Sequence, residues 1–417
     1  MLIKTILNRI QKHPGFVYDT VRLEEGPAGL SLEIAISPHA RNRPQCSRCD
    51  RRGTAYDTLT VRRFEFVPLW GIRVFFLYLM RRVNCSRCGV HVERVPWAEG
   101  KQHLTTTYAW FLAGWAKRLS WQEVARAFRT TWDHVYGSVA MAVRWGRAHQ
   151  DLTGIEAIGI DEIQWRRGHD YLTLVFQIDA GCRRLLWIGQ KRRVKTLLAF
   201  FRWFGDGHTK ALRFVCSDMW KPYLTVVAKK AGHALHILDR FHIAMQMSKA
   251  IDQVRRAEVH ELHRQGRHAW LSKARWVLLK RHEHRTDADR ARLRELTRHN
   301  LKAVRSTLLR EVFEEFWGYR SAAWAGAFLD AWCREVMRSR IEPMKKVARM
   351  LRRHRPLLLN WFRARGQISA GAVEGLNNKA KLTTRKAYGF RSYHCIETAL
   401  YHTLGQLPEP AVTHRFC

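Results

Sequence analysis

Ile155-Glu156-Ala157-Ile158-Gly159-Ile160-Asp161-Glu162 is an apolar run that closes on two acids, and the rest of the chain is best read outward from it. A short β-branched run of this kind predicts a buried strand over residues 155–161. Residues 171–179 and 184–189 repeat the pattern. Residues 191–204 change to helical spacing, residues 212–218 form a fourth apolar strand, and residues 234–239 form a fifth.

Three strands, a helix, a strand, a helix and a strand is the order of an RNase H-like α/β core, here over residues 151–243. In such a sheet the first and fourth strands are neighbours. Asp161 and Asp218, read as the last residues of those strands, would then emerge at one edge. Asp239, in Leu238-Asp239-Arg240-Phe241-His242, ends the fifth strand; Asp239 and His242 read as support for a neighbour or a metal. Asp179 reads as a turn residue.

Downstream, residues 244–365 are helical in period, rich in Arg and dotted with Trp270, Trp276, Trp317, Trp324, Trp332 and Trp361, which reads as an all-α insertion into the core. Residues 366–371 read as a loop, and residues 366–417 return to the core with a helix carrying Glu374. That residue is the only acid between Pro343 and Ile396, a stretch with thirteen Lys and Arg. Bases so arranged form a cradle for a polyanion, and a carboxylate facing phosphates needs a metal between them. Asp161, Asp218 and Glu374 together suit two divalent ions, Mg²⁺ or Mn²⁺, because clustered carboxylates cannot all ionise without cations. Taken singly, each acid reads more simply as a turn former, a cap or an ion-pair partner.

Residues 1–100 read as short strands and turns, with hairpins over residues 17–36 and 63–83. Cys46-Ser47-Arg48-Cys49 and Cys85-Ser86-Arg87-Cys88 bracket the second hairpin, 35 residues apart. Two such knuckles offer four thiolates to one structural Zn²⁺, as in a zinc ribbon; a thiol-redox role would need only one pair. Cys182, Cys216, Cys333, Cys395 and Cys417 are scattered and read as buried or incidental thiols. Residues 101–150 turn helical. Residues 108–119 form one helix, Ser120-Trp121-Gln122-Glu123 is a capping-box pattern opening a second, and Asp133 is a candidate cap for a third. The last two resemble a helix-turn-helix, with His134, Tyr136, Arg144 and Arg147 as candidate DNA contacts, although plain packing units share this spacing.

The 417 residues carry 73 Lys and Arg against 36 Asp and Glu, a net charge of +37 spread along the chain. Such an excess suits counter-ion release from nucleic acid. Seventeen Trp argue against a disordered basic tail. No secretory signal opens the sequence and no apolar run reaches the ~20 residues of a membrane span, so a cytoplasmic protein with no membrane partner is expected.

Several stretches together resemble one family. They are Gly159-Ile160-Asp161-Glu162 with Arg167-Gly168-His169-Asp170-Tyr171, then Ser217-Asp218-Met219-Trp220-Lys221-Pro222-Tyr223 and Asp239-Arg240-Phe241-His242. The last are Val373-Glu374-Gly375-Leu376-Asn377-Asn378-Lys379 and Arg385-Lys386-Ala387-Tyr388-Gly389-Phe390-Arg391. With the cysteine pairs and the helix pair, the chain is similar over nearly its whole length to ISL-three insertion-sequence transposases, a group of DDE transposases. The resemblance implies a catalytic triad of Asp161, Asp218 and Glu374, Mg²⁺ dependence, and recognition of terminal inverted repeats.

The reading is thus a multidomain DNA strand transferase, acting on double-stranded DNA at element ends and target, with Lys379, Lys381, Arg385, Lys386 and Arg391 holding phosphates. Bringing two ends together implies a homodimer on DNA, although no heptad marks one. The rival reading is a catalytically silent, transposase-derived repressor; a weaker third is a nuclease that cuts without joining.

Overall fold

Alternating aromatic and β-branched residues build the first of two mixed sheets. The computed structural model describes residues 3–411 apart from 28, 167, 169, 369 and 370, so Cys417 and the motif residues Arg167 and His169 lie outside the described residues. Helix α1 (Ile3–Ile10) precedes strands β1 (Phe16–Gly26), β2 (Gly29–Pro38), β3 (Thr54–Leu69), β4 (Ile72–Cys85) and β5 (Gly89–Val92). They are ordered β1-β2-β4-β3 with β5 on β4, and β2 runs parallel to β4. Ile34, Phe64, Phe76 and Tyr78 bury one face against Trp97. Both expected hairpins form. The second is longer than the expected 63–83: β3 starts at Thr54 and β4 runs to Cys85, and most of β3 from Thr54 to Arg63 is exposed, with no buried face.

Three helices follow: α2 (Thr106–Ala116), α3 (Trp121–Ala127) and α4 (Trp132–Ala148). The Ser120–Glu123 capping box forms at α3. The cap of α4 is Thr131, whose hydroxyl accepts from His134 N at 3.2 Å, and not Asp133. Asp133 is the second residue of the helix, within its first turn, where a negative charge favours the helix dipole.

The second sheet contains β6 (Ala157–Gln164), β7 (Tyr171–Asp179), β8 (Cys182–Gln190), β9 (Phe214–Ser217) and β10 (Leu235–Leu238). Its order is β10-β9-β6-β7-β8; β6, β7 and β8 are antiparallel, while β9 and β10 run parallel to β6. Helices α5 (Val194–Phe204), α6 (Asp206–Ala211) and α7 (Lys221–Lys230) connect these strands. Phe200, Phe201 and Tyr223 pack with Ile158, Ile160 and Val175 in the core beneath. Several expectations change. Asp218 and Asp239 fall one residue beyond their strands, since β9 ends at Ser217 and β10 at Leu238. Asp161 does not end its strand: β6 continues to Gln164 and Asp161 pairs with Leu174 of β7. Residue 212 is not yet strand, because the short polar helix α6 intervenes.

Helices continue from residue 240, earlier than the expected 244, because the Asp239 carboxylate accepts from Phe241 N at 2.9 Å and caps α8 (Arg240–Arg264). The block comprises α9 (Arg275–Leu279), α10 (Asp287–Thr297), α11 (Lys302–Glu314), α12 (Ala322–Arg338), α13 (Glu342–Arg353) and α14 (Arg355–Arg363). Phe313, Phe316, Trp332 and Phe362 lie in its core. It is tied to the sheet where Asn360 Nδ2 donates to the His236 carbonyl of β10 at 2.9 Å.

Helix α15 (Gly371–Lys386) and helix α16 (Tyr393–Leu404) complete the chain. Two compact units result: Met1–Gln150 with Thr383–Cys417, and Asp151–Leu382. The division falls inside α15, so the C-terminal segment expected to start at residue 366 is shared between the units. Among the described residues no helix is long and apolar enough to cross a membrane.

Candidate catalytic carboxylates and a cysteine cluster

The parallel register of the second sheet aligns three acids. β6 pairs with β9 up to Gly159 and Cys216, and β9 pairs with β10 up to Ser217 and Leu238. Continuing those registers sets Asp161, Asp218 and Asp239 level across three adjacent strands, at the carboxyl ends of β9 and β10. Burial pushes the Asp161 carboxyl up to about 6, and the nearby charges of Asp239 and Asp218 push the same way. Glu162, on the same strand, is raised to about 7 by burial and then by Asp218.

Three groups offset this repulsion. Arg192, in the connection between β8 and α5, reaches Glu162 at 2.9 Å and Asp218 at 2.5 Å, and its guanidinium lies 4.5 Å from the centre of the Trp220 ring. His242 Nδ1 is 2.8 Å from Asp239, and that hydrogen bond raises its pKa. Asn377, on α15, donates from Nδ2 to Asp161.

The Asn377 contact shows how α15 is seated. Gly159 of β6 has no side chain because Val373 occupies that space; a Cβ there would collide with the Val373 methyl. Val373 and Asn377 thus fasten the N-terminal half of α15 to β6. Glu374, half-buried in the first turn, precedes Asn377 by three positions and shares its side of the helix. The oxygens of Asp161, Asp218 and Glu374 are not gathered to ligand spacing. Among the described residues, the four cysteines are the one group of three or more candidate ligands whose atoms all lie within 4.8 Å of one another. The donor set nevertheless fits a hard divalent cation. The donors are all oxygen, Asp161 and Asp218 repel each other, and the Arg192 guanidinium already bridges Asp218 and the neighbouring Glu162.

Of the expected DNA contacts, Lys379, Lys381, Arg385, Lys386 and Arg391 are exposed. Lys386 donates to the Arg118 carbonyl. On α4, Arg144 is exposed, His134 Nδ1 is 2.9 Å from the Thr130 hydroxyl, and Arg147 stacks over Tyr401 at 4.2 Å. Tyr136 is half-buried and packs on Trp132 and Trp121.

At the other end of the chain, the sulfurs of Cys46, Cys49, Cys85 and Cys88 converge, with Cys49 and Cys85 3.5 Å apart. Four sulfurs about 2.3 Å from one Zn²⁺ stand about 3.8 Å apart in a tetrahedron, so the cluster can accommodate that ion. The backbone N–H groups of Arg87 and Cys88 lower the Cys85 thiol to about 7, whereas the Cys49 hydrogen bond raises Cys88 to about 12.

A family model described as a transposase, of the ISL-three group, matches residues 158–400. The chain belongs to that transposase family. The matched span begins in β6, ends in α16 and includes all three acids of the expected triad. The transposase for insertion sequence element IS1001 of Bordetella parapertussis is 29% identical over 395 residues, covering 94% of this chain and 96% of that protein. The transposase for insertion sequence element IS1557 of Mycobacterium tuberculosis is 28% identical over 406 residues, covering 90% and 89%. Membership in the family implies a DNA substrate.

Sequence reasoning did not single out Arg192, Glu162 or Asn377 as site residues. Asn377 was accessible through its i, i+3 spacing from Glu374. Arg192 carries no such signal, since it is one cation among many in a short connection.

The raised Asp161 carboxyl yields a pH prediction. Its proton is released near pH 4 in the unfolded chain and near pH 6 in the fold, so the native state binds more protons between those values and stability falls as pH rises through them. Metal-free protein should lose up to about 3 kcal/mol over this window in urea melts. Asp161→Asn should flatten the loss, and millimolar Mg²⁺ should offset it in wild type alone.

Proposed function

We propose that this chain cuts and rejoins DNA at the terminal inverted repeats of an insertion sequence, by metal-dependent phosphoryl transfer. The observation that carries the reading is the row of Asp161, Asp218 and Asp239 level across β6, β9 and β10, with α15 pinned beside it through Asn377. The strand order β10-β9-β6-β7-β8 supports an RNase H-like core with the helical block inserted before its last helix.

Asp161 and Asp218 would hold Mg²⁺ or Mn²⁺, with Glu374 supplying the remaining carboxylate from α15. When bound, the divalent ions supply charge neutralisation, activation of the attacking oxygen and stabilisation of the leaving one. Arg192 ion-pairs with both Asp218 and Glu162 and so aligns them, and Asn377 orients Asp161. His242 holds Asp239. Water attacks phosphorus at the element end and the 3′-oxygen departs as a hydroxyl; that 3′-hydroxyl then attacks a target phosphorus, losing its proton, and displaces the target's 3′-oxygen, which takes one up. Lys379, Lys381, Arg385, Lys386 and Arg391 would hold phosphates, Lys386 after leaving the Arg118 carbonyl.

The first sheet, with Zn²⁺ on its four cysteines, and α3–α4 acting as a helix-turn-helix would recognise the ends. Arg144 is the best placed of the expected contacts on α4, since Tyr136 is committed to packing. Two ends have to be held together, which supports a homodimer on DNA.

Glu374→Gln should leave binding of end DNA within about twofold and lower Mg²⁺-dependent cleavage of a mini-element by at least on the order of a hundredfold. A variant that still cuts removes Glu374 from the chemistry. Purified protein should release one Zn²⁺ per chain when its thiols are blocked with a mercurial, and none from a Cys85→Ser, Cys88→Ser variant; a zinc-free wild-type protein would refute the structural metal.

A further inference from the structure

Tyr388 is the most exposed large side chain among the described residues, at 101% relative exposure, and it stands on a strained backbone. Helix α15 ends in a turn in which Tyr388 N donates to the Arg385 carbonyl and Gly389 N to the Thr384 carbonyl, both at 3.0 Å. This is the Schellman pattern, whose first residue past the helix lies in the left-handed region and is normally Gly. Here that position is Tyr388, with φ of 52°, followed by Gly389 with φ of 95°. A tyrosine ring held in water on a left-handed residue lowers stability twice over, through backbone strain and through apolar exposure, and such outliers cluster at functional positions.

Two further features point to an occupant. Phe390 packs on Trp121 of α3, 5.9 Å between ring centres, which anchors the turn from behind. Arg385 and Arg391 lie three residues to either side of Tyr388 in the sequence and are both exposed, which suits a ligand that carries negative charge beside a flat apolar face. Unpaired bases on a phosphate backbone have that chemistry. Trp70 supplies a contrast: it too is exposed (87%) and left-handed (φ 50°), but the cation three residues on, Arg73, is paired with Glu65 at 3.0 Å.

We propose that Tyr388 is a base-stacking site that takes an unpaired nucleobase of the bound DNA while Arg385 and Arg391 hold the adjoining phosphates. The proposal rests on the DNA-processing reading above and adds to it a preference for locally unpaired DNA.

The test uses the full chain and fluorescence anisotropy at one fixed salt concentration, with two labelled duplexes of equal length, one fully paired and one carrying a single extrahelical adenine. Wild type should bind the bulged duplex roughly five- to tenfold tighter, as one stacked base allows. Tyr388→Gly should bring the ratio close to one, leave paired-duplex affinity unchanged and melt no lower than wild type, because Gly suits the left-handed position. Tyr388→Phe, Trp70→Ala and Glu374→Gln should keep the ratio. A wild-type ratio of one, a ratio that survives Tyr388→Gly, or its loss in Trp70→Ala overturns the stacking site while leaving the strand-transfer reading standing. Failure to bind either duplex overturns both.

Discussion

Three carboxylates held level on adjacent parallel strands repel one another, and the second unit is organised around that repulsion. Asp161 lies within β6, and Asp218 and Asp239 are the first residues past β9 and β10, so the strand register keeps their backbones close together. The fold meets the resulting charge with Arg192 on Asp218, His242 on Asp239 and Asn377 on Asp161. Even so, Asp161 and Glu162 retain protons well above the usual carboxylate range. A sheet edge in this state gains stability from a small divalent cation, and the same cation is what phosphoryl transfer needs.

The distance along the chain between Asp218 and Glu374 is taken up by the helical block, which starts at the Asp239 cap and returns to β10 through Asn360. Because both ends of the block are tied to the sheet, α15 follows it back to β6. Gly159 then decides how close the helix comes: any side chain there would push Val373 outward and carry Asn377 and Glu374 with it. A glycine inside a strand is thereby linked to the position of an acid 215 residues later in the chain.

Much of this was legible in the sequence where burial writes a pattern. β7 matches its expected limits because its interior residues, Leu172 to Ile178, are all buried. The Ser120 capping box forms because both partners are local. Legibility failed where no pattern exists. The outer half of β3 is exposed on both faces and so buries no pattern, and α6 is six residues of mixed polarity. Tyr136 looked like a DNA contact on a helix face, but its neighbours Trp132 and Trp121 are aromatic and take it into packing. Asp239 read as support for a neighbour or a metal; continuing the register sets it level with Asp161 and Asp218. Arg192 is placed by tertiary structure alone.

Iron-directed cleavage tests the central claim, that the aspartate row and the first turn of α15 share one divalent-ion site. Fe²⁺ with ascorbate and peroxide cuts the backbone close to wherever the ion binds, and mass spectrometry locates the cuts. The account predicts cuts near Asp161, Asp218 and Asp239 together with cuts at the start of α15 near Glu374, all suppressed by excess Mg²⁺. Cuts at the strand ends with none near Glu374, or cuts that Mg²⁺ does not suppress, would contradict it.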